Sequence, residues 1–418
     1  MALGPGILFA STCIGVSHLV QSTRAGADYG FALLIAIVVA NVLKYPFFEF
    51  ASRYTSATGV NILDGYLKEG RWILILYFLI SLPSMFIVTA AVTFVTAGLL
   101  GNLLGLNLTT DIWSALLLGF CVIALGIGKY KLLDSLLKWV GAILLISVVA
   151  AFFSALINGK AAMVDGFVAP SVLEPAGIIF LIALMGWMPT AVDISTWTSL
   201  WAEEKAKVTG NTPSLKEASF DFNFGYWVSA ILAICFMTLG AYVMHGTGTE
   251  LSNNSTVFAG QVISLFTESI GNWSYIIISI AAFSTMFSTT IAVVDGYGRA
   301  ISRTTQLLFS LESSSRRPFI IWTIIISIGA FLVITIFVGN LKQLVDFATI
   351  LSFVIAPLAG FINYRVIFSK EIAKEFVPPA WLKWLAIAGL IFLSVFTIIY
   401  FFVLLDPEGT SQFFKNIL

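Results

Sequence analysis

Charge is what this sequence has least of. Only 11% of its 418 residues are Asp, Glu, Lys or Arg, while 59% are hydrophobic. That balance leaves a water-soluble protein of this length without enough polar material to cover its surface, so the expected solvent is lipid. The few charges cancel, 22 basic against 22 acidic, and no basic face argues for a nucleic-acid partner. Histidine is scarcer still, with His18 and His245 as the two examples. Cys13, Cys121 and Cys235 each stand inside an apolar run without CxxC spacing, and they read as packed thiols rather than a metal cage or redox pair. There is no phosphate-cradling loop ending in Lys-Ser/Thr, so this chain does not drive transport by its own ATP hydrolysis. Hydrolase and kinase motifs are absent too; no enzyme and no cofactor are expected. The first apolar stretch lacks a basic leader and a small-residue cleavage site, and reads as a span rather than a signal peptide.

What the chain has is length of apolar sequence. A hydrocarbon core about 30 Å thick needs roughly 20 apolar residues per helix, and such stretches recur at 4–24, 31–53, 72–99, 111–128, 137–157, 174–199, 221–244, 272–303, 318–338, 343–367 and 381–404. These runs are too long and unbroken for the ten-residue alternating strands of a barrel. The expected class is an all-α integral membrane protein, one transmembrane domain over 1–418. The longest polar stretch, from Ala202 to Ser219, reads as a solvated loop. Basic residues are distributed unevenly between the two sides: 17 Lys and Arg fall in the loops on the N-terminal side, among them Lys129, Lys131 and Lys138, against Arg24, Lys160, Lys342 and Lys415 on the other. Because basic loops stay inside, the N-terminus is expected in the cytoplasm, and the location in a bacterial inner (plasma) membrane.

Two spans contain helix breakers at mid-depth, five spans apart. The first reads Gly4-Pro5-Gly6 and then Ile14-Gly15-Val16-Ser17-His18. The sixth reads Met185-Gly186-Trp187-Met188-Pro189-Thr190-Ala191-Val192-Asp193. Backbone that leaves the helix inside a membrane survives only around a cavity or a bound solute, and matched interruptions in two halves of a transporter point to a solute site between inverted repeats. The repeats expected from this placement are 1–157 (spans 1–5) and 174–367 (spans 6–10), with 381–404 as span 11.

The same residues resemble the Nramp divalent-metal transporters, whose fold is LeuT-type. GPGILFASTCIGVSHLVQSTRAGADYG is similar to that family's first span in its Gly-Pro opening and Ala-Gly-Ala-x-Tyr-Gly close. SRYTSATG, Met188-Pro189 and FSTTIAVVDGYGR are similar to parts of its second, sixth and eighth spans. The resemblance implies a LeuT-type inverted repeat and a metal site at the breaks. It also exposes departures. The family's Asp-Pro-Gly-Asn quartet is matched by Gly15, Val16, Ser17 and His18, so its acid is missing. The Met ligand is matched by Met188 and the carbonyl ligand by Met185. The family's His-Asn becomes Thr190-Ala191, its second His becomes Ser195, and its acidic pair in span 3 becomes Ala90 and Thr93.

Several residues admit two readings. His18 either touches solute, as imidazole suits transition metals, or caps broken backbone by hydrogen bonding. Met188 is a thioether ligand or packing filler, and Met185 would act through its carbonyl. Asp193 either serves solute or coupling, or caps the second half-helix of span 6. Lys44 and Glu49 are five residues apart, about 140° around a helix. Glu49 is therefore expected to pair with Arg53, leaving Lys44 to snorkel or to reach Asp193 or Asp346. Asp295 and Arg299 are read as a structural i,i+4 pair, and His245 as interfacial.

The leading expectation is a carrier of a small ion, a divalent metal cation first, working by alternating access without strict proton coupling. Gly15, Ser17, His18, Met185, Met188, Thr190 and Asp193 are the expected solute residues, with Lys44 and Asp346 as coupling or charge partners. The alternatives are a same-fold carrier of an amino acid, amine or small anion, and a receptor or scaffold on a transporter fold, whose mark would be a soluble extension beyond the 14 residues that follow span 11. The partners expected are the solute and the bilayer, and a monomer is compatible with everything read so far.

Overall fold

In lipid each backbone N–H and C=O must find its partner within its own segment, and helices meet that demand. The computed structural model is accordingly helical, with no strand among the described residues, which are 5–106, 108–127, 131–210, 213–312 and 315–417. The side chains at 5, 7, 131–141 and 413–417 are outside that description as well. Gly4, the basic-loop residue Lys129 and the side chains of Lys131, Lys138 and Lys415 therefore lie outside the described residues.

In chain order the helices are α1 (Pro5–Cys13), α2 (Thr23–Tyr29), α3 (Leu34–Thr58), α4 (Ile62–Glu69), α5 (Arg71–Leu104), α6 (Thr110–Ile127), α7 (Lys131–Asn158), α8 (Pro175–Gly186), α9 (Ser195–Thr209), α10 (Leu215–Val243), α11 (Ser255–Ile270), α12 (Tyr275–Phe309), α13 (Arg317–Ile336), α14 (Leu341–Ile367), α15 (Ala380–Leu405) and α16 (Pro407–Ile417). Among the described residues eight are long and apolar enough to cross a membrane: α3, α5, α6, α10, α12, α13, α14 and α15. The other three expected spans are the two broken ones and α7, whose described apolar part is Ala142–Asn158.

One expected loop is a helix. Glu203, Glu204, Lys205 and Lys207 lie on α9, which runs to Thr209; Lys207 bonds Glu203 one turn back at 3.0 Å, and Gly210 closes the helix in the left-handed region at φ 68°. A box of Ser214 and Glu217 then caps α10. Polarity there marks a solvated surface, not a loss of helix. A second helix not foreseen, α11, starts at Asn254, whose side chain accepts from Thr256 and Val257.

The centre of the bundle is built on α5, α12 and α10. Where α2 crosses α10, a Cβ on Gly26 would lie 1.9 Å from the Met237 carbonyl oxygen, and one on Gly240 would lie 2.3 Å from that of Thr23. Small residues at such crossings let membrane helices meet backbone to backbone. This contact fixes the second half of span 1 against span 7.

Candidate solute site at the two helix breaks

Span 1 leaves the α-helix after Cys13. Ile14 donates to Ala10 at 2.9 Å, and then the backbone N–H groups of His18 and Leu19 both converge on the Gly15 carbonyl, at 3.1 and 3.0 Å. A π-helical turn over Ser17–Ser22 follows before α2 resumes. Gly15 allows a close approach: a Cβ there would lie 3.0 Å from the Thr289 methyl of α12, tighter than an ordinary contact. The break is held by His18. Its Nε2 donates to the Ser229 carbonyl of α10 at 2.8 Å, and its Nδ1 is 2.7 Å from the Ser17 hydroxyl, whose single proton Nδ1 and the Cys13 carbonyl compete for. His18 is fully buried with both ring nitrogens engaged. Of its two readings, the arrangement is that of a histidine pinning broken backbone.

Span 6 stops at Gly186 and restarts at Ser195. The end of α8 would leave carbonyls without partners at the negative end of the helix dipole. Lys44, projecting from α3, meets them. Its ammonium donates to the carbonyls of Met185 (3.1 Å), Gly186 (2.9 Å) and Thr190 (2.7 Å). Three N–H bonds meet three acceptors, and the side chain is wholly buried. Lys44 therefore neither snorkels nor bonds Asp193 or Asp346. The Met185 carbonyl, expected as a ligand, is already occupied by this cation.

Between the breaks lies a cavity of about 20 Å³, lined by Thr12, Val16 and Ser17 of span 1, Trp187, Thr190, Ala191, Ile194 and Trp197 of span 6, Val88 and Val92 of α5, and Thr289 and Val293 of α12. Room for a water-sized probe starts at roughly 10–15 Å³, so the space suits one water or one bare ion. Its lining side chains bring the hydroxyls of Thr12, Ser17, Thr190 and Thr289 and the indoles of Trp187 and Trp197, and no Asp, Glu, His or Cys is among the described lining residues. Among the described residues no cluster of three His, Cys, Asp or Glu could hold a metal.

The expected site residues thus divide. Ser17 and Thr190 line the cavity, and Gly15 stands one residue before its wall at Val16. Met188 is buried beside it, its sulfur 3.9 Å from the Ser22 hydroxyl across the π-turn. Asp193 is turned away towards α5 and α12, with Oδ2 3.3 Å from Tyr297 Oη. It does not cap α9, whose N-cap Ile194 makes no side-chain bond. Asp346 pairs with Arg24 of α2 through two bonds, at 2.6 and 3.0 Å, and accepts from Gln21 at 3.0 Å. Glu49 and Arg53 do pair at 2.6 Å, and Asp295 and Arg299 at 2.8 Å. His245 bonds the Ala27 carbonyl at 2.9 Å.

The two faces of the cavity differ. On the side away from the basic loops, the Arg24–Asp346 pair bridges α2 and α14, and the Arg24 guanidinium lies 4.8 Å over the Phe180 ring of α8. On the basic-loop side a vestibule of about 670 Å³ opens between α9 and α12, lined by Glu203, Glu204, Asp295, Arg299 and Arg303 among others. The Arg24 latch was missed in the sequence. Its signal is Gln21, Arg24 and Asp28, three polar side chains at helical spacing in an apolar span end.

The model of the Nramp family, described as natural resistance-associated macrophage protein-like, matches residues 6–403. The chain belongs to the Nramp family. It is accordingly a transmembrane transporter and not an enzyme. Among relatives, the uncharacterized protein PM0681 of Pasteurella multocida (strain Pm70) is 36% identical over 402 residues, covering 96% of this chain and 91% of its own. The divalent metal cation transporter MntH of Listeria welshimeri is 22% identical over 427 residues, 96% and 89%. The solved manganese transporter of Eremococcus coleocola superposes with a TM-score of 0.70 at 11% identity, over 98% of this chain and 88% of that one. MhsT in complex with L-phenylalanine superposes at 0.63 with 14% identity, over 96% and 98%. These likenesses establish the LeuT-type fold. Against the Nramp pattern, the span 3 positions Ala90 and Thr93 are buried, and the Thr93 hydroxyl is spent on the Thr89 carbonyl at 2.7 Å.

Proposed function

We propose that this Nramp protein is an alternating-access carrier of a small ion, with its N-terminus in the cytoplasm of a bacterium and its solute site in the cavity between the broken spans. The observation that carries this is the cavity between the two breaks, about 20 Å³ in this state, room for one desolvated ion. Closure by Arg24 and Asp346 on one face and a vestibule on the other support a one-sided state of such a cycle. A divalent metal cation is the first candidate, because relatives matching the chain almost end to end bear that name. The donors on offer are the hydroxyls of Ser17, Thr190 and Thr289, all hard oxygens, with the soft thioether of Met188 next to this wall in sequence, a neutral set. With Ala90 and Thr93 in span 3, strict proton coupling through α5 is not expected.

One observation favours a second reading, a small anion. Lys44 puts a buried positive charge on the Thr190 carbonyl, behind a cavity wall that has no carboxylate. Isothermal titration of the purified protein with Mn²⁺ and Cd²⁺, and separately with halide and formate, decides between them. Heat with the metals alone supports the first reading; heat with the anions alone replaces it by the second.

A further inference from the structure

Asp193 is the buried acid that solute binding leaves unused. It is 1% exposed, and its Oδ1 meets no hydrogen-bond donor among the described residues. Oδ2 has Tyr297 Oη at 3.3 Å, which is itself 2.9 Å from the Ser84 hydroxyl. No Lys or Arg forms an ion pair with it among the described residues. Lys44, the cation facing it from α3, spends its three N–H bonds on span 6 carbonyls. The other titratable groups around it are neutral phenols: Tyr66 of α4, Tyr77 of α5 and Tyr297 of α12. Ser81 Oγ and Trp197 Nε1, also buried, have no partner either.

A carboxylate taken out of water is tolerated when it collects several donors or a cation. Around the Asp193 carboxyl stand neutral donors, Tyr297 Oη at 3.3 Å with the Ser84 hydroxyl and the Asp193 backbone N–H nearby, and no bonded cation among the described residues; that setting suits the acid, whose O–H is a donor in its own right. Its place just before the first turn of α9 lets the helix dipole ease the charged form once water arrives. We propose that Asp193 is a proton-binding site, loaded on Oδ1 while α9 packs against α5 and α12, and discharged to water of the vestibule when that packing opens. The step moves one proton from the carboxyl oxygen to water and changes no other bond. Two indoles lie on the way. Trp197 stands edge-on to Tyr297 at 4.7 Å, and Trp201, 6.0 Å from Trp197, donates at 3.2 Å to Asp295 in the vestibule wall. The linkage bears on transport through the carrier reading; the site itself does not depend on which ion is carried.

Infrared difference spectroscopy on the protein in lipid, between acid and alkaline buffers, tests this. The expected result is a protonated-carboxyl stretch at neutral pH that shifts in D2O, is lost in Asp193→Asn and is kept in Asp346→Asn. Tyr297→Phe removes one of the donors at the carboxyl and should shift the band, which preserves the test should Asp193→Asn fail to fold. A wild-type protein without such a band at neutral pH, or a band indifferent to both Asp193→Asn and Tyr297→Phe, overturns the proposal. Because no solute is present, this outcome is independent of whether metal or anion is carried.

Discussion

The ammonium of Lys44 lies 2.7 Å from the carbonyl oxygen of Thr190, so a cation built into span 2 holds the very backbone that lines the solute cavity. The same ammonium satisfies the Met185 and Gly186 carbonyls at the end of α8. The sixth-span break is therefore a two-part joint, half-helix and lysine, and its stability depends on a residue about 140 positions away in sequence.

Replacing the lysine should unmake the joint. Lys44→Met keeps the stem but takes this donor from the buried carbonyls of Gly186 and Thr190, each costing about 1–3 kcal/mol, while Met185 keeps the Met188 N–H at 3.3 Å. The variant should unfold well below the wild type in a detergent thermal melt. Lys44→Arg, with its planar fork in place of a compact point charge, should recover only part of the loss.

His18 should behave as a structural residue. With Nε2 on the Ser229 carbonyl and Nδ1 beside Ser17, His18→Ala should cost stability, on the order of 1–3 kcal/mol, more than solute affinity. Parallel melting and binding curves separate the two. A tenfold loss of affinity with an unchanged melt would instead put the imidazole in contact with solute.

Restoring an acid at Gly15 should fail for steric reasons. A Cβ there meets the Thr289 methyl at 3.0 Å, so Gly15→Asp, and Gly15→Ala already, should cost about 1–3 kcal/mol of overpacking. Thr289→Ser removes that methyl and should relieve much of the cost in a double-mutant cycle. Additive effects would mean that the two helices are not in contact at this point.

The Arg24–Asp346 pair should control access from the side away from the basic loops. Cys13, Cys121 and Cys235 are buried, so the wild type offers a low background to impermeant thiol reagents. A Gln21→Cys probe should label slowly with the pair intact and several-fold faster after Asp346→Asn, which leaves Arg24 buried without its charge partner.

The spans are legible in sequence because lipid imposes a length and a composition on each, and the breaks because Gly15 and Pro189 weaken a helix at mid-span, although Gly26 and Pro46 sit inside continuous helices. The i,i+4 pairs Glu49–Arg53 and Asp295–Arg299 are legible for the same local reason. What composition hides is partnership across the bundle. Lys44 lies on α3 and its acceptors on α8 and the break after it, and nothing in span 2 alone distinguishes Asp193 and Asp346 from three carbonyls as its partner. His18 likewise gives no sign from spacing that its ring turns to α10. The run from Ala202 to Ser219 reads as a loop because charge reports solvent and not backbone conformation; α9 and the Ser214–Glu217 cap keep most of it helical.

The direct test of the carrier is ion influx into proteoliposomes carrying a metal-sensitive dye, with Mn²⁺ or Cd²⁺ outside and protein-free vesicles as baseline. The carrier reading with a metal solute predicts saturable influx that is abolished by Thr190→Phe, which fills the cavity of about 20 Å³. Influx no faster than the baseline for every metal, or influx that survives the filled cavity, would contradict it.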